Sequence, residues 1–212
     1  MGSETPDYLR QDWLPYFDPE LVLPDYAVVP KVKDQFPVKP WLEARAGAIK
    51  DYVDPETNEP TWLIIQGAAN THQVSRFLLI MTLQRENSLI KAAELSPFKM
   101  ARACGQAIFE PRPADPPEVQ KRRAEITARN KGFRNQVYGA AKTYAKRFAE
   151  WKPGSGIKCN YKNGEDPMTV DDDSWDIRVP RNAATWALLR YTPQDFASRI
   201  SRDIWRGYFG LK

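Results

Sequence analysis

The sequence predicts a mainly α fold: a helical domain with a small β element near residues 157–179 and an extended, proline-rich N-terminal arm. Three observations carry that prediction. Apolar residues recur at helical spacing through most of the chain after residue 40, prolines crowd the first forty residues, and short strand-like runs flank turn residues between 157 and 179. The expected organisation is an arm over 1–39, a helical subdomain over 40–110, a proline-rich linker at 111–117, and a last part over 118–212. That last part holds a long basic helix, the β element and the C-terminal helices, and it is expected to pack with 40–110 as one compact domain. At 212 residues a domain of this kind buries roughly 70% of its unfolded surface, enough to fold without disulfide staples.

In the arm, prolines stand at positions 6, 15, 19, 24, 30, 37 and 40. Proline lacks the helical N–H donor and restricts the residue before it, so the segment is expected to be irregular and extended. Trp13, Tyr16, Phe17, Tyr26 and Phe36 punctuate it with aromatic anchors that gain by burial. An arm of this composition either wraps its own domain or lies across a neighbour.

Pro40 opens an expected helix to about Val53, and residues 54–60 form an acidic turn. In Thr61–Gly67 strand and short helix are not separated by periodicity, and helix is the preferred assignment. Asn70 and Thr71 suit the N-cap of a central helix over about 72–95, with apolar residues on a broad face. Ser96-Pro97 then restarts a helix with Phe98, Ala101, Cys104 and Ile108 in phase, and the prolines of 110–117 form a stiff linker.

From Glu118 to Lys152 the pattern reads as one basic helix, with Ile126, Phe133, Val137, Ala141, Tyr144, Phe148 and Trp151 as its apolar stripe. Gly132 and Gly139 weaken it, each by about 1 kcal/mol relative to Ala, and mark places for a kink or a close contact. Strands are expected over 157–161, 168–170 and 175–179. Asn182 is positioned to cap a helix over about 183–191, and Thr192-Pro193 begins another, with Phe196, Ile200 and Ile204 facing inward and Arg199, Arg202 and Arg206 outward.

Charge is unevenly placed. The first sixty residues carry twelve acidic and six basic side chains, whereas 118–152 carries ten cations against three Glu, so a net charge of +4 conceals an acidic head and a basic middle. The basic residues Lys121, Arg122, Arg123, Arg129, Lys131, Arg134, Lys142, Lys146, Arg147 and Lys152 outnumber their local carboxylates. The surplus points to an anionic partner, with phosphate, the acidic arm and an anionic surface all open. Lys99 and Arg102, with Gln106, give the region after Ser96 the outline of a helix-turn-helix reader, although any αα-hairpin shares that outline. Tyr138, Tyr161 and Trp175 are the aromatic residues placed near cations as base-stacking candidates.

Signals for catalysis and cofactors are thin. His72, Cys104 and Cys159 are the only His and Cys residues, too few for a Cys/His zinc site, and the low thiol count fits a reducing compartment. His72 near Ser75 makes no triad, and Pro153-Gly154-Ser155-Gly156 lacks the lysine of a phosphate loop. The carboxylates Glu165, Asp166, Asp171, Asp172, Asp173 and Asp176 form the one acidic cluster, without a calcium-loop pattern. No metal, cofactor or catalytic residue is therefore assigned, and no run is long enough to span a membrane. The resulting expectation is a non-enzymatic structural or assembly subunit of a large complex, a viral or phage particle or a nucleoprotein assembly. It would bind neighbouring chains, copies of itself included, through the arm and anionic partners through the basic helix. A DNA- or RNA-binding replication or regulatory factor is the alternative, followed by a metal-dependent hydrolase. The expected setting is intracellular and soluble, or within a particle assembled inside the cell.

Overall fold

A computed structural model describes residues 21–30, 36–160, 175–193 and 195–209. Among these residues the elements run α1 (Val38–Arg45), α2 (Thr61–His72), α3 (Arg76–Asn87), α4 (Pro97–Ala101), α5 (Pro117–Asn130), α6 (Phe133–Glu150), β1 (Ile157–Asn160), β2 (Trp175–Arg178), α7 (Ala183–Tyr191) and α8 (Asp195–Phe209), with 3-10 turns at Asp25–Ala27 and Ala48–Asp51. The fold is mainly α with one small antiparallel β element, as the spacing predicted. Two compact units emerge, Asp34–Lys142 and, from both ends of the sequence, Met1–Lys33 with Thr143–Lys212.

In the first unit α3 is the central helix. Eight consecutive residues, Arg76 to Leu83, are buried, so it has no solvated face over two turns. The guanidinium of Arg76 is not orphaned there, because Nη1 donates to the Phe36 carbonyl at 2.6 Å and Nη2 to Asn70 Oδ1 at 3.3 Å. Ile64, Ile65 and Ala68 of α2, Leu42 of α1 and Ile49 complete the core, with Phe133, Val137 and Ala141 from the start of α6. Each of the larger side chains contributes about 1.5–3 kcal/mol by leaving water.

Four boundaries differ from the expected ones, each for a local reason. The first helix stops at Arg45 because Gly47 lies against the backbone of residues 91–92: its N–H donates to Ile90 O at 2.8 Å, and a Cβ there would meet Ala92 O at 2.1 Å. The helix expected from His72 to Leu95 is shorter at both ends. Its first residues belong to α2, which runs through Asn70 and Thr71 and ends at Gln73 with φ 54°. Its end is an αL cap, in which Ser88 (φ 55°) donates to Gln84 O, and Leu89 N donates to Leu83 O beyond it. The helix restarting at Pro97, capped by Ser96 Oγ accepting from Lys99 N, covers only five residues.

The fourth difference is the basic helix, which is two helices. Lys131 turns extended and Gly132 takes φ +94°, a conformation L side chains rarely adopt. Buried Asp54 then holds the start of α6: Oδ2 accepts from Arg134 N at 3.2 Å while Oδ1 accepts from the amides of Glu56 and Thr57. A carboxylate at a helix N-terminus meets unpaired N–H donors and the positive end of the helix dipole.

The second unit is organised around the start of α7. Asn182 caps it, accepting from Thr185 N at 3.0 Å, as its position predicted. Asp25 Oδ1 accepts from Ala184 N at 3.0 Å, Thr185 Oγ1 accepts from Val22 N at 2.9 Å and from Leu23 N at 3.3 Å, and Asn182 Nδ2 donates to Leu23 O at 2.7 Å. Val22, Leu23, Ala27 and Val28 are buried, so this stretch of the proline-rich segment is part of its unit's core. Tyr144 of α6 stacks on Tyr191 at 4.4 Å, and β1 pairs antiparallel with β2 in the register Ile157 to Arg178. In α8 the buried face is Ala197, Ser198, Ser201 and Trp205, while Ile200 and Ile204 are half-buried. The helix is thus rotated from the expected face: Trp205 offers more area than either Ile, and Ser201 satisfies its hydroxyl on Ala197 O at 2.8 Å. Residues 1–20 and 161–174, and with them the strand expected at 168–170, lie outside the described residues.

Thr185→Val removes a hydroxyl that holds two backbone amides of the 22–23 segment and leaves them buried. It is expected to destabilise the chain by about 1–3 kcal/mol, read as a lower denaturation midpoint at unchanged slope in urea.

Candidate anion-binding groove

The site is built on a segment that has no regular structure of its own. After α4 the chain passes buried Cys104, turns at Gly105 (φ +69°) and runs through Gln106–Phe109 along the α5–α6 junction. The buried side chain of Gln136 fixes this course. Its Oε1 accepts from Cys104 N at 3.2 Å and from Gln106 N at 3.0 Å, and its Nε2 donates to Gln106 O at 3.2 Å and to Asn130 O at 2.7 Å. Further along, Asn130 Nδ2 donates to Ala107 O, and Thr127 Oγ1 accepts from Phe109 N at 2.9 Å. Gln120 Nε2 pins the proline-rich stretch to α5, donating to Asp115 O at 2.7 Å.

Between this segment and α5 lies an open groove of about 800 Å³. Pro117, Gln120, Lys121, Ala124, Ala128 and Lys131 of α5 and its C-cap form one wall, at the helical spacing of a single face. Across from them stand Ala101, Arg102, Ile108 and residues 109–112. None of the fourteen residues of α5 is buried. A helix in a folded unit ordinarily buries an apolar stripe; here the groove face carries only Ala124 and Ala128 as apolar α-helical positions after Pro117, while Val119, 37% exposed, and half-buried Ile126 are not among the groove's lining.

The cations expected to bind divide into two groups. Arg102 pairs with Glu110, Arg123 with Asp115 at 2.9 Å, Arg134 with Glu59 at 2.9 Å, Arg147 with Glu150 at 2.8 Å, and Lys146 with Glu150 at 3.7 Å. The pairing with Arg147, more than Lys146, holds the Glu150 carboxyl below its ordinary pKa. Arg102, Arg123 and Arg134 also lie over the rings of Phe98, Phe109 and Tyr138 at 4.1, 5.2 and 4.2 Å. Lys99, Lys121, Arg122, Arg129, Lys131 and Lys142 are exposed and form no ion pair among the described residues. Lys121 and Lys131 line the groove, whereas Arg122 and Arg129 fall on the opposite face of α5, one turn beyond Glu118 and Glu125.

Arg112 joins the groove as a third exposed cation without an ion pair among the described residues, and no sequence pattern singles it out. It stands between Pro111 and Pro113, where no periodicity reports which way a side chain faces. Gln136 carried no signal either, being a polar residue inside an apolar stripe. Nor did Arg85 and Glu86 at the end of α3: Arg85, its side chain 3% exposed, donates from Nε to Glu86 Oε1 at 2.9 Å. Gly105 leaves room for that carboxylate, since a Cβ there would meet Oε2 at 2.6 Å.

Other candidates are placed as follows. Trp13, Tyr16 and Phe17 lie outside the described residues, as do Tyr161 and the side chains of Trp175 and Asp176. Tyr26 sits half-buried in the Asp25–Ala27 turn, and Phe36 packs on Phe77 at 3.8 Å between ring centroids and on Trp41 at 6.1 Å. Residues 165–173 of the acidic run are outside the described residues, among which no group of three metal-ligating side chains occurs. The α4 helix is too short for a groove-reading helix. No helix among the described residues is long and apolar enough to cross a membrane. Comparison with protein-family models, with curated proteins and with solved structures yields no match.

His72 ends α2 and meets Tyr138 edge-on at 6.2 Å. Burial, and after it the charge of Lys142, keeps its pKa below the ordinary 6.5. The neutral ring therefore stabilises the fold fully above pH 6.5, and that contribution is lost as pH falls from there toward the lower folded-state pKa. The melting temperature is expected to drop more steeply from about pH 7 to about pH 5.5 in the wild type than in His72→Gln. Separately, Gln136→Leu leaves two amides and two carbonyls without their partner and is expected to cost about 2–4 kcal/mol, measured by chemical denaturation.

Proposed function

We propose that this chain acts by binding, as an assembly subunit whose α5 groove takes an anionic partner. The observation that carries the reading is the combination at α5: a helix with no buried residue, standing over a groove where Arg112, Lys121 and Lys131 have no carboxylate of their own among the described residues. A face that is apolar between its cations suits a ligand that alternates negative charge with apolar surface. In this reading the N-terminal arm, with Trp13, Tyr16 and Phe17, supplies contacts to neighbouring chains, in a particle or nucleoprotein assembly. Phe36 stands apart from that role, since it packs on Phe77 and Trp41 within its own unit.

A second reading, single-stranded nucleic-acid binding, is favoured by Phe98 and Phe109. Both rings are exposed, at 65% and 37%, and each is backed on one side by a guanidinium. Bases can stack on such rings while cations take the phosphates, each stack contributing about 1–3 kcal/mol.

The test is binding of a polyglutamate peptide and of single- and double-stranded oligonucleotides at two salt concentrations. Tight binding at about 50 mM salt that weakens steeply by about 200 mM is expected for at least one of these probes. Lys121→Glu with Lys131→Glu should weaken it about tenfold or more, whereas Arg122→Glu with Arg129→Glu, on the far face, should change it less than about threefold. Equal losses from the two pairs would remove the groove from the account.

A further inference from the structure

We infer that the occupant of the α5 groove is the acidic, aromatic segment at residues 4–20 of a second copy of this chain. The inference rests on the anion-binding reading above and names its partner.

Three features point to this occupant. The first is charge complementarity: residues 4–20 contain Glu4, Asp7, Asp12, Asp18 and Glu20 against a single Arg10, and the groove contains Arg112, Lys121 and Lys131 with no ion pair among the described residues. The second is the match of texture. Between those carboxylates stand Tyr8, Trp13, Tyr16 and Phe17, and between the cations the groove is walled by Ala101, Ile108, Ala124 and Ala128. A carboxylate set between aromatic side chains fits a wall where cations alternate with small aliphatic groups. A polynucleotide fits it less well, because it brings a phosphate at every step and needs open aromatic faces, and Phe109, the one ring in the groove, has a side already under Arg123. The third is reach. Seventeen residues span at most roughly 60 Å when extended, ample to leave one copy and enter another. The groove, at about 800 Å³, lies within the size range of sites that enclose small ligands, roughly 300–1,000 Å³, and so accommodates two or three of the arm's side chains.

Residues 4–20 include prolines at 6, 15 and 19, and proline's fixed φ lowers the ordering cost of docking a segment of this composition. Arm into groove is a head-to-tail contact between different surfaces. Repeated, it generates rings or open chains of copies rather than an obligatory dimer.

The experiment is a charge swap in the full chain, read by sedimentation velocity over a range of protein concentrations. The wild type is expected to self-associate, less so at high salt. Lys121→Glu with Lys131→Glu in one variant and Asp12→Lys with Asp18→Lys in another should each shift self-association to concentrations at least about tenfold higher. An equimolar mixture of the two variants should associate again, since the reversed groove meets the reversed arm. Helical circular dichroism equal to wild type in both variants confirms that folding is not the cause of the loss. A wild type that stays a single chain throughout, or a mixture that fails to associate while both variants are folded, overturns the proposal. Binding of a single-stranded oligonucleotide, measured in parallel, separates the two levels. If the groove variant loses the oligonucleotide and self-association is unaffected, the groove binds anions and the arm is not its ligand. If neither responds to the groove substitutions, the anion-binding reading falls as well.

Discussion

One side-chain amide sets the geometry on which the groove depends. Gln136 is fully buried and uses all four of its hydrogen-bonding positions on backbone groups, two on its oxygen and two on its nitrogen. Those groups belong to two places in the sequence, the turn at Cys104–Gln106 and the end of α5 at Asn130, which Gln136 ties to α6. A buried polar network of this kind is worth keeping only when complete, since a missing partner leaves a desolvated amide unpaired. With it complete, an irregular strand of chain runs at fixed distance beside α5, and the space between them becomes a groove with a defined wall. The break at Lys131–Gly132 belongs to the same arrangement. Were 118–150 one straight helix, Asn130 O would be satisfied within the helix and could not accept from Gln136.

Both units solve the start of a buried helix in the same way. Asp54 receives Arg134 N at the head of α6, and Asp25 receives Ala184 N at the head of α7, each from a turn far away in sequence. A single carboxylate thereby satisfies an otherwise unpaired helix donor, places negative charge at the positive end of the dipole and fixes a loop. Part of the acidity of the first sixty residues is consumed in this work, and Glu59 goes to Arg134. The carboxylates from Asp25 to Glu59 therefore include structural partners, while those of residues 4–20 lie outside the described residues.

Legibility followed the kind of information each feature needs. The α-rich class, the central position of α3, the Asn182 cap and the presence of a small β element near 157–179 rest on local patterning, and all were readable. Helix ends at Gln73 and Ser88 were not, because both adopt positive φ with side chains that carry no glycine signature, and only the tertiary fold selects that conformation. Gly47 was not visible as a break and Gly132 only as a place for a kink: the first is decided by the backbone of residues 91–92 lying across it, the second by Asp54 arriving from far away in sequence and by Gln136 taking the Asn130 carbonyl. In the groove, Lys121 and Lys131 were legible as members of a basic run. Which members lacked partners was not, since Arg102, Arg123 and Arg134 find carboxylates 8, 8 and 75 residues away.

That sorting changes what the basic stretch signifies. Exposed ion pairs contribute little to stability, typically under about 1 kcal/mol, so the paired arginines are better understood as settling the electrostatics of their own surroundings while their stems and guanidinium planes cover Phe98, Phe109 and Tyr138. What is left over falls in three places: three cations along one groove, two on the opposite face of α5 one turn beyond their own glutamates, and Lys99, Lys142 and Lys152 outside α5. A diffuse polyanion would meet both faces of α5 about equally. A ligand confined to the groove meets three cations together with the aliphatic side chains of Ala101, Ile108, Ala124 and Ala128. Since no residue of α5 is fully buried by its own chain, filling that groove would add to the helix burial that most helices receive from their cores, and ligand binding is thermodynamically linked to the order of α5.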